Sequence, residues 1–190
     1  MLNQVSNPKL RCLRKPIEHF CGYNLGNCFK LSLLLSIAGL CMSKPDKFTG
    51  RFEFLEHTAD IYIQAHGKTM EEAYENAALS MFETMTDSTK IAQSQEDTVE
   101  VEAEDQYALL YNWLEALLVK FETENMLYSK FQITDWKETA ETFKFKAKIW
   151  GEKFSPEKHP QKVAVKAVTY HRMVVIREVD RVILEFILDI

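Results

Sequence analysis

With 190 residues, 46% apolar and 12% aromatic, the chain has material for one globular domain with a real core, which excludes wholesale disorder. Its charge is split: residues 1–50 carry seven Lys/Arg against two acids, whereas residues 51–190 carry sixteen against twenty-six, or +5 and −10. A body at −10 excludes non-specific nucleic-acid binding as a main activity, because phosphate neutralisation supplies most of that affinity. Little direct nucleic-acid binding is therefore expected.

The first fifty residues differ from the rest. All four cysteines (Cys12, Cys21, Cys28, Cys41) lie there, in spacings that match no zinc pattern. The body has none and needs no oxidising compartment, which fits cytoplasm or nucleus. Leu31 to Met42 form a twelve-residue apolar run, short of the roughly twenty residues that span a bilayer, so no membrane segment is expected. A signal peptide would need a long preceding region and lacks a small-x-small cleavage site. A mitochondrial presequence would suit the Lys/Arg excess. The simplest reading begins translation at Met42 and treats residues 1–50 as an extension to a domain at 51–190.

From Arg51 the pattern sharpens. Phe52/Phe54 and Ile61/Ile63/Ala65 alternate at period two and predict two short strands. Between them lies a polar break, Glu56-His57-Thr58 and Asp60. Gly67 turns the chain, and Thr69-x-x-Glu72 reads as a capping box, the Thr hydroxyl taking a helix N–H while Glu72 reaches back. Met70, Ala73, Tyr74, Ala77, Ala78, Met81, Phe82 and Met85 then form an apolar stripe at helical spacing, so a helix is predicted to about Met85. Residues 88–97 read as a polar loop. Val99, Val101 and Ala103 predict a short strand with Glu100, Glu102 and Glu104 in water. Asp105 caps a second helix whose buried face is Leu109, Leu110, Trp113, Leu114, Leu117 and Phe121.

The remainder reads as strand. Phe131 and Ile133 mark one; Phe143, Phe145, Ala147 and Ile149 alternate with Lys144, Lys146 and Lys148 in the next. A loop at Ser155–Pro160 leads into Val163–Arg177, long enough to bend or bulge. Glu178-Val179-Asp180 turns the chain into Val182–Asp189. Strands outnumber helices and no βαβ rhythm appears, which predicts an α+β domain of two helices packed on mainly antiparallel sheet.

Chemistry-bearing residues are few. No phosphate-binding glycine loop, no nucleophile elbow and no cysteine nucleophile occur in the body. The oxygen ligands attract attention instead. Asp189 ends an apolar strand beside the α-carboxylate of Ile190, and Asp60 interrupts another; together they are suited to a hard cation such as Ca²⁺ or Mg²⁺. The ordinary alternative is that Asp60 caps a turn and Asp189 is an exposed chain end. His57, three residues before Asp60, would support such a site from behind or serve as a hydrogen-bonded structural residue. Lys162, Lys166, His171 and Arg172 make a cationic spot that would meet a phosphate or an acidic partner, or would protect a strand edge.

Several motifs resemble the archease family: Phe54-Leu55-Glu56-His57-Thr58-Ala59-Asp60-Ile61, Gly67-Lys68-Thr69-Met70-Glu71-Glu72-Ala73, Ala77-Ala78-Leu79-Ser80-Met81-Phe82, Gly151-Glu152, His159, Lys166-Ala167-Val168-Thr169-Tyr170 and the closing Asp189-Ile190. They run in collinear order over about residues 51–190. The resemblance implies a non-catalytic protein cofactor of an RtcB-type RNA ligase and its complex in tRNA splicing. It also implies that the protein promotes guanylylation of the ligase, which uses GTP and Mn²⁺, and so allows multiple turnover. It further implies a divalent cation, Ca²⁺ with Mg²⁺ or Mn²⁺ as alternatives, held by Asp60, Asp189 and the carboxylate of Ile190. Glu152, His159 and Lys166 would then face the partner or its nucleotide. Two alternatives compete: a chaperone-like module, and a metal-dependent phosphohydrolase using His57 and Asp60.

Overall fold

The computed structural model describes residues 50–57 and 59–190. The readings made for residues 1–49, including the cysteines and the Met42 start, lie outside the described residues, as does Thr58. The domain is α+β, as expected, with two α-helices and two antiparallel sheets. The strands are β1 (Phe52–Leu55), β2 (Ile61–Gly67), β3 (Gln95–Ala103), β4 (Met126–Glu138), β5 (Phe143–Lys153), β6 (Ala167–Arg177) and β7 (Val182–Asp189). The helices are α1 (Met70–Met85) and α2 (Gln106–Glu124), with a short 3-10 turn at Ser88–Lys90. Four strands form one sheet in the order β1-β2-β7-β6, and three form the other in the order β3-β5-β4. Each helix packs against strands of both sheets.

Both helices start as their sequences require. The Thr69 hydroxyl accepts the Glu72 N–H (3.2 Å), but Glu72 reaches back one residue further than a simple capping box, taking the Lys68 N–H at 2.7 Å. Asp105 accepts the Ala108 N–H at 2.8 Å, and α2 ends on Asn125 in the left-handed region at φ 57°. The α1 stripe is buried throughout, as are Leu109, Leu110, Trp113, Leu114 and Leu117 of α2; Phe121 is only partly covered. Trp113 and Tyr74 fill the centre fully buried. Trp113 donates its indole N–H to the Tyr74 carbonyl at 3.0 Å, and the Tyr74 hydroxyl donates to the Gln106 carbonyl at 2.9 Å, so neither ring carries an unmet polar atom into the core.

Strand ends depart from expectation where polar residues join a ladder. β3 begins at Gln95 rather than Val99, because Gln95–Thr98 pair with Gly151–Lys148 of β5, with Gln95, Glu96 and Thr98 exposed and the half-buried Asp97 accepting from Lys120 and the Tyr128 hydroxyl. The same register sets Glu100 opposite Lys146 and Glu102 opposite Lys144, so those acids face cross-strand lysines as well as solvent. β4 starts at Met126, and β6 starts at Ala167, four residues after the expected Val163. Gly151 is required where it stands: a Cβ there would lie 1.8 Å from the Leu127 carbonyl oxygen, beside the register shift between Tyr128 and Lys130. Among the described residues, no helix is long and apolar enough to cross a membrane.

Candidate functional site

The β2–β7 ladder ends on the pair Ile61↔Leu188. One step beyond it stand Asp60 and Asp189, so two residues from opposite ends of the domain arrive side by side through strand pairing alone. On the other flank of β7, Ala167 pairs with Asp189, the Lys166 N–H donates to the Asp189 carbonyl at 2.8 Å, and Lys166 Nζ donates to a terminal oxygen of Ile190 at 2.7 Å. Sheet geometry therefore gathers Asp60, Asp189, Ile190 and Lys166. All but Lys166 are half-buried; Lys166 is exposed.

Alternation fixes the face that this end presents. Ile61, Ile63 and Ala65 point with Leu184, Phe186 and Leu188 into the core, while Tyr62 and Gln64 both donate to the Glu185 carboxylate on the opposite face. Continuing the same alternation puts Asp60 and Asp189 on the face of Tyr62 and Glu185. Burial, the hydrogen bond to Glu185 and that carboxylate's charge together push the Tyr62 phenol up to about 12, against the opposing pull of Arg172. Tyr62 is thus a neutral hydrogen-bond donor at physiological pH.

His57 closes the turn. Its Nδ1 accepts the Asp60 N–H at 3.3 Å, lies 3.7 Å from the Asp60 carboxylate, and its ring meets Tyr62 edge-on at 6.4 Å. The accepting nitrogen carries no proton in this arrangement, so the ring orients the Asp60 turn and does not donate to its carboxylate through Nδ1.

Three carboxylates with one ammonium form an oxygen-rich, negatively charged end whose donors are hard, as a Ca²⁺ or Mg²⁺ ion requires. Among the described residues, no three His, Cys, Asp or Glu side chains converge into a metal cage. An ion here would rest on two aspartates and the main-chain terminus. In donor chemistry the residues fit that role.

Glu152 and His159 belong elsewhere, to the three-stranded sheet and the loop that leaves it. His159 is 1% exposed. Its Nδ1 accepts the Ser155 N–H at 3.0 Å, which leaves Nε2 to donate to Glu152 at 3.0 Å. Glu152 also takes the Ala92 N–H at 2.6 Å and the Lys158 ammonium. Burial would raise its carboxyl, but the hydrogen bonds from Lys158, Ala92 and His159 outweigh it and hold the pKa at about 2. This is a closed clasp with both imidazole nitrogens used, and His159 presents no surface outward.

The cationic spot read from sequence does not assemble as one patch. Lys162 precedes β6 and staples the loop to α1, its N–H donating to the Met85 carbonyl at 3.0 Å and its ammonium to Glu83 at 2.5 Å. Arg172 sits at φ 54° inside an irregularity between Thr169 and Val174, and its guanidinium lies 6.0 Å from the Tyr62 ring centre. Only Lys166 reaches the chain terminus. The length of the Val163–Arg177 segment signalled such a bulge; which side chain it would redirect is not visible without the β7 register.

Known proteins share this sequence and fold. Residues 52–190 match the model of the archease protein family (MTH1598/TM1083). The protein archease of Sulfurisphaera tokodaii is 44% identical over 140 residues, covering 74% of this chain and 99% of the relative; that of Pyrococcus abyssi is 45% identical over 123 residues, covering 65% and 86%. The solution structure of Methanobacterium thermoautotrophicum protein 1598 superposes with a TM-score of 0.66 at 39% identity, covering 74% of this chain and 99% of that one.

Proposed function

This chain belongs to the archease family, and on that premise we propose that it is a non-catalytic protein cofactor of an RtcB-type RNA ligase in tRNA splicing. It docks on the ligase complex, promotes ligase guanylylation and permits multiple turnover, in the cytoplasm or nucleus. The observation that carries the reading is the convergence of Asp60, Asp189, the Ile190 carboxylate and Lys166 at one end of the four-stranded sheet. Asp60, Asp189 and Ile190 would hold a divalent cation, most naturally Ca²⁺. When bound, such an ion supplies positive charge to a partner's nucleotide phosphates.

The chain's own residues do the rest. Strand pairing fixes the spacing of the two aspartates, His57 orients the Asp60 turn, and Lys166 neutralises one terminal oxygen so that the carboxylates tolerate one another. The −10 body favours docking on a basic, RNA-binding protein over binding RNA itself. The test is ligation by a cognate ligase under single- and multiple-turnover conditions, with and without this protein. Added protein is expected to raise multiple turnover at least tenfold while leaving the first turnover of pre-guanylylated ligase unchanged. Equal multiple turnover with and without it would contradict the reading.

A further inference from the structure

The Asp60–Asp189 end leaves a second exposed feature unused. Tyr111 on α2 and Tyr170 on β6 stack face to face, ring centres 4.5 Å apart and planes within 9°. Tyr170 is nevertheless 54% exposed, and Tyr107, one helical turn before Tyr111 on the same face of α2, is 45% exposed. Scattered surface aromatics need no explanation, but three tyrosines grouped across a helix and a neighbouring strand form a patch of the kind that proteins present to other proteins. Tyrosine gives large, rigid contact area with only two side-chain torsions to freeze, and prior stacking removes part of that cost.

Charge around the patch selects its occupant. Glu104 and Asp105 precede Tyr107 and Glu115 follows Tyr111 by one turn, while the one cation of α2, Lys120, is engaged with Asp97 at 2.5 Å and His171 and Arg172 follow Tyr170 on β6. Asp105 acts electrostatically on the Tyr170 phenol, whose pKa is raised by burial first and then by Tyr111 and Asp105. A guanidinium stacks on tyrosine and pairs with carboxylates, so both features of this surface favour arginine.

Backbone geometry selects the mode of contact. β6 is an edge strand, but the irregularity between Thr169 and Val174, with Arg172 at φ 54°, interrupts its edge where Tyr170 sits. Such an edge resists strand addition and favours side-chain docking. Tyr170 lies four residues along from Lys166, about 13 Å at strand rise.

We propose that Tyr107, Tyr111 and Tyr170, with Asp105 and Glu115, form the docking surface for a basic protein partner that presents arginine side chains. The inference rests on the reading that this chain works by docking, and adds where it docks and through what chemistry.

The full chain is titrated against an RtcB-type ligase by biolayer interferometry at 50 and 300 mM NaCl. In parallel, ¹⁵N-labelled protein is titrated with hexa-arginine peptide and followed by NMR. The variants are Tyr111→Ala/Tyr170→Ala and, as a substitution that removes no packing, Glu115→Lys. Ligase binding is expected to weaken at least tenfold in the tyrosine variant and about threefold in Glu115→Lys, which also loses part of the salt dependence. Wild-type affinity in both would overturn the surface and leave the ligase reading standing. Should the wild-type chain not bind the ligase at all, the ligase reading fails and the peptide arm decides the surface. Shifts concentrated at residues 104–115 and 168–172, at least fivefold weaker in the tyrosine variant, support it; shifts confined to other segments overturn it.

Discussion

Two polar clusters interrupt apolar strands in this domain, and they resolve their charges in opposite ways. In the three-stranded sheet, Glu152 meets the Ala92 N–H, Lys158 and His159, while His159 spends its second nitrogen on the Ser155 N–H. Every donor there has an acceptor inside the chain. At the end of the four-stranded sheet, Asp60, Asp189 and the Ile190 carboxylate are gathered with one ammonium, that of Lys166. Like charges brought to neighbouring half-buried positions repel, and a bound cation would relieve that repulsion. A cluster that closes on itself needs nothing from outside; on the proposed reading, the other is where a cation and a partner would arrive.

That contrast can be broken or sharpened by perturbing each cluster in turn. His159→Ala should have the largest effect, a loss of about 3 kcal/mol in urea unfolding, because it strands a buried N–H and a carboxylate. Stimulation of ligation per folded molecule should survive it. The converse, a stable variant that no longer stimulates, would move His159 out of the structural class. Next, saturating Ca²⁺ should stabilise the wild-type chain by about 2.7 kcal/mol at a hundredfold excess over Kd, read as a rise in Tm, with no rise in Asp60→Ala. A shift of equal size in both proteins would remove the ion from this end.

Glu152→Gln should cost about 1–2 kcal/mol at neutral pH, less than the full pKa displacement implies because water screens the group. Its pH dependence has a definite sign. A carboxyl held at about 2 when folded contributes stability above its unfolded value near 4.5 that disappears as pH falls towards 2. Wild type should therefore lose that increment between about pH 5 and pH 2, and Glu152→Gln should lack that part of the slope. Parallel acid-unfolding curves would show that the carboxylate is not held low. Lys166→Ala should be mildest, below about 1 kcal/mol, because its ammonium is exposed. It should also tighten Ca²⁺ binding a few-fold by removing a competing cation, and calorimetric titration showing weaker binding would argue that Lys166 helps build the site.

Much of the fold was legible from periodicity. Phe52/Phe54 and Ile61/Ile63/Ala65 fall in strands and the α1 stripe in a helix as their spacing requires, although Phe54, on the edge strand β1, is 52% exposed. Where β3, β4 and β6 begin was not legible, because Gln95, Met126 and Ala167 enter or leave strands according to a partner strand's register. The candidate site shows the same division. Asp60 and Asp189 stand out as polar residues at the ends of apolar strands, but their adjacency comes from the long-range β2–β7 ladder. Glu152 and His159 were expected, from the family resemblance, to face a partner or its nucleotide. Only burial and the hydrogen bonds of the 155–159 loop reveal that this pair is self-contained. The Tyr111–Tyr170 stack had no sequence signal, as it joins a helix face to an irregular strand across the domain.

The central claim is that the surplus carboxylates, not the satisfied clasp, act on a partner. Multiple-turnover RNA ligation by an RtcB-type ligase, with wild-type protein, Asp60→Ala, a chain lacking Ile190, and His159→Ala at matched folded concentration, tests it most directly. The expected result is loss of stimulation in the first two variants, with circular dichroism unchanged, and retained stimulation in the third. Full stimulation by Asp60→Ala and by the chain lacking Ile190 would contradict the account.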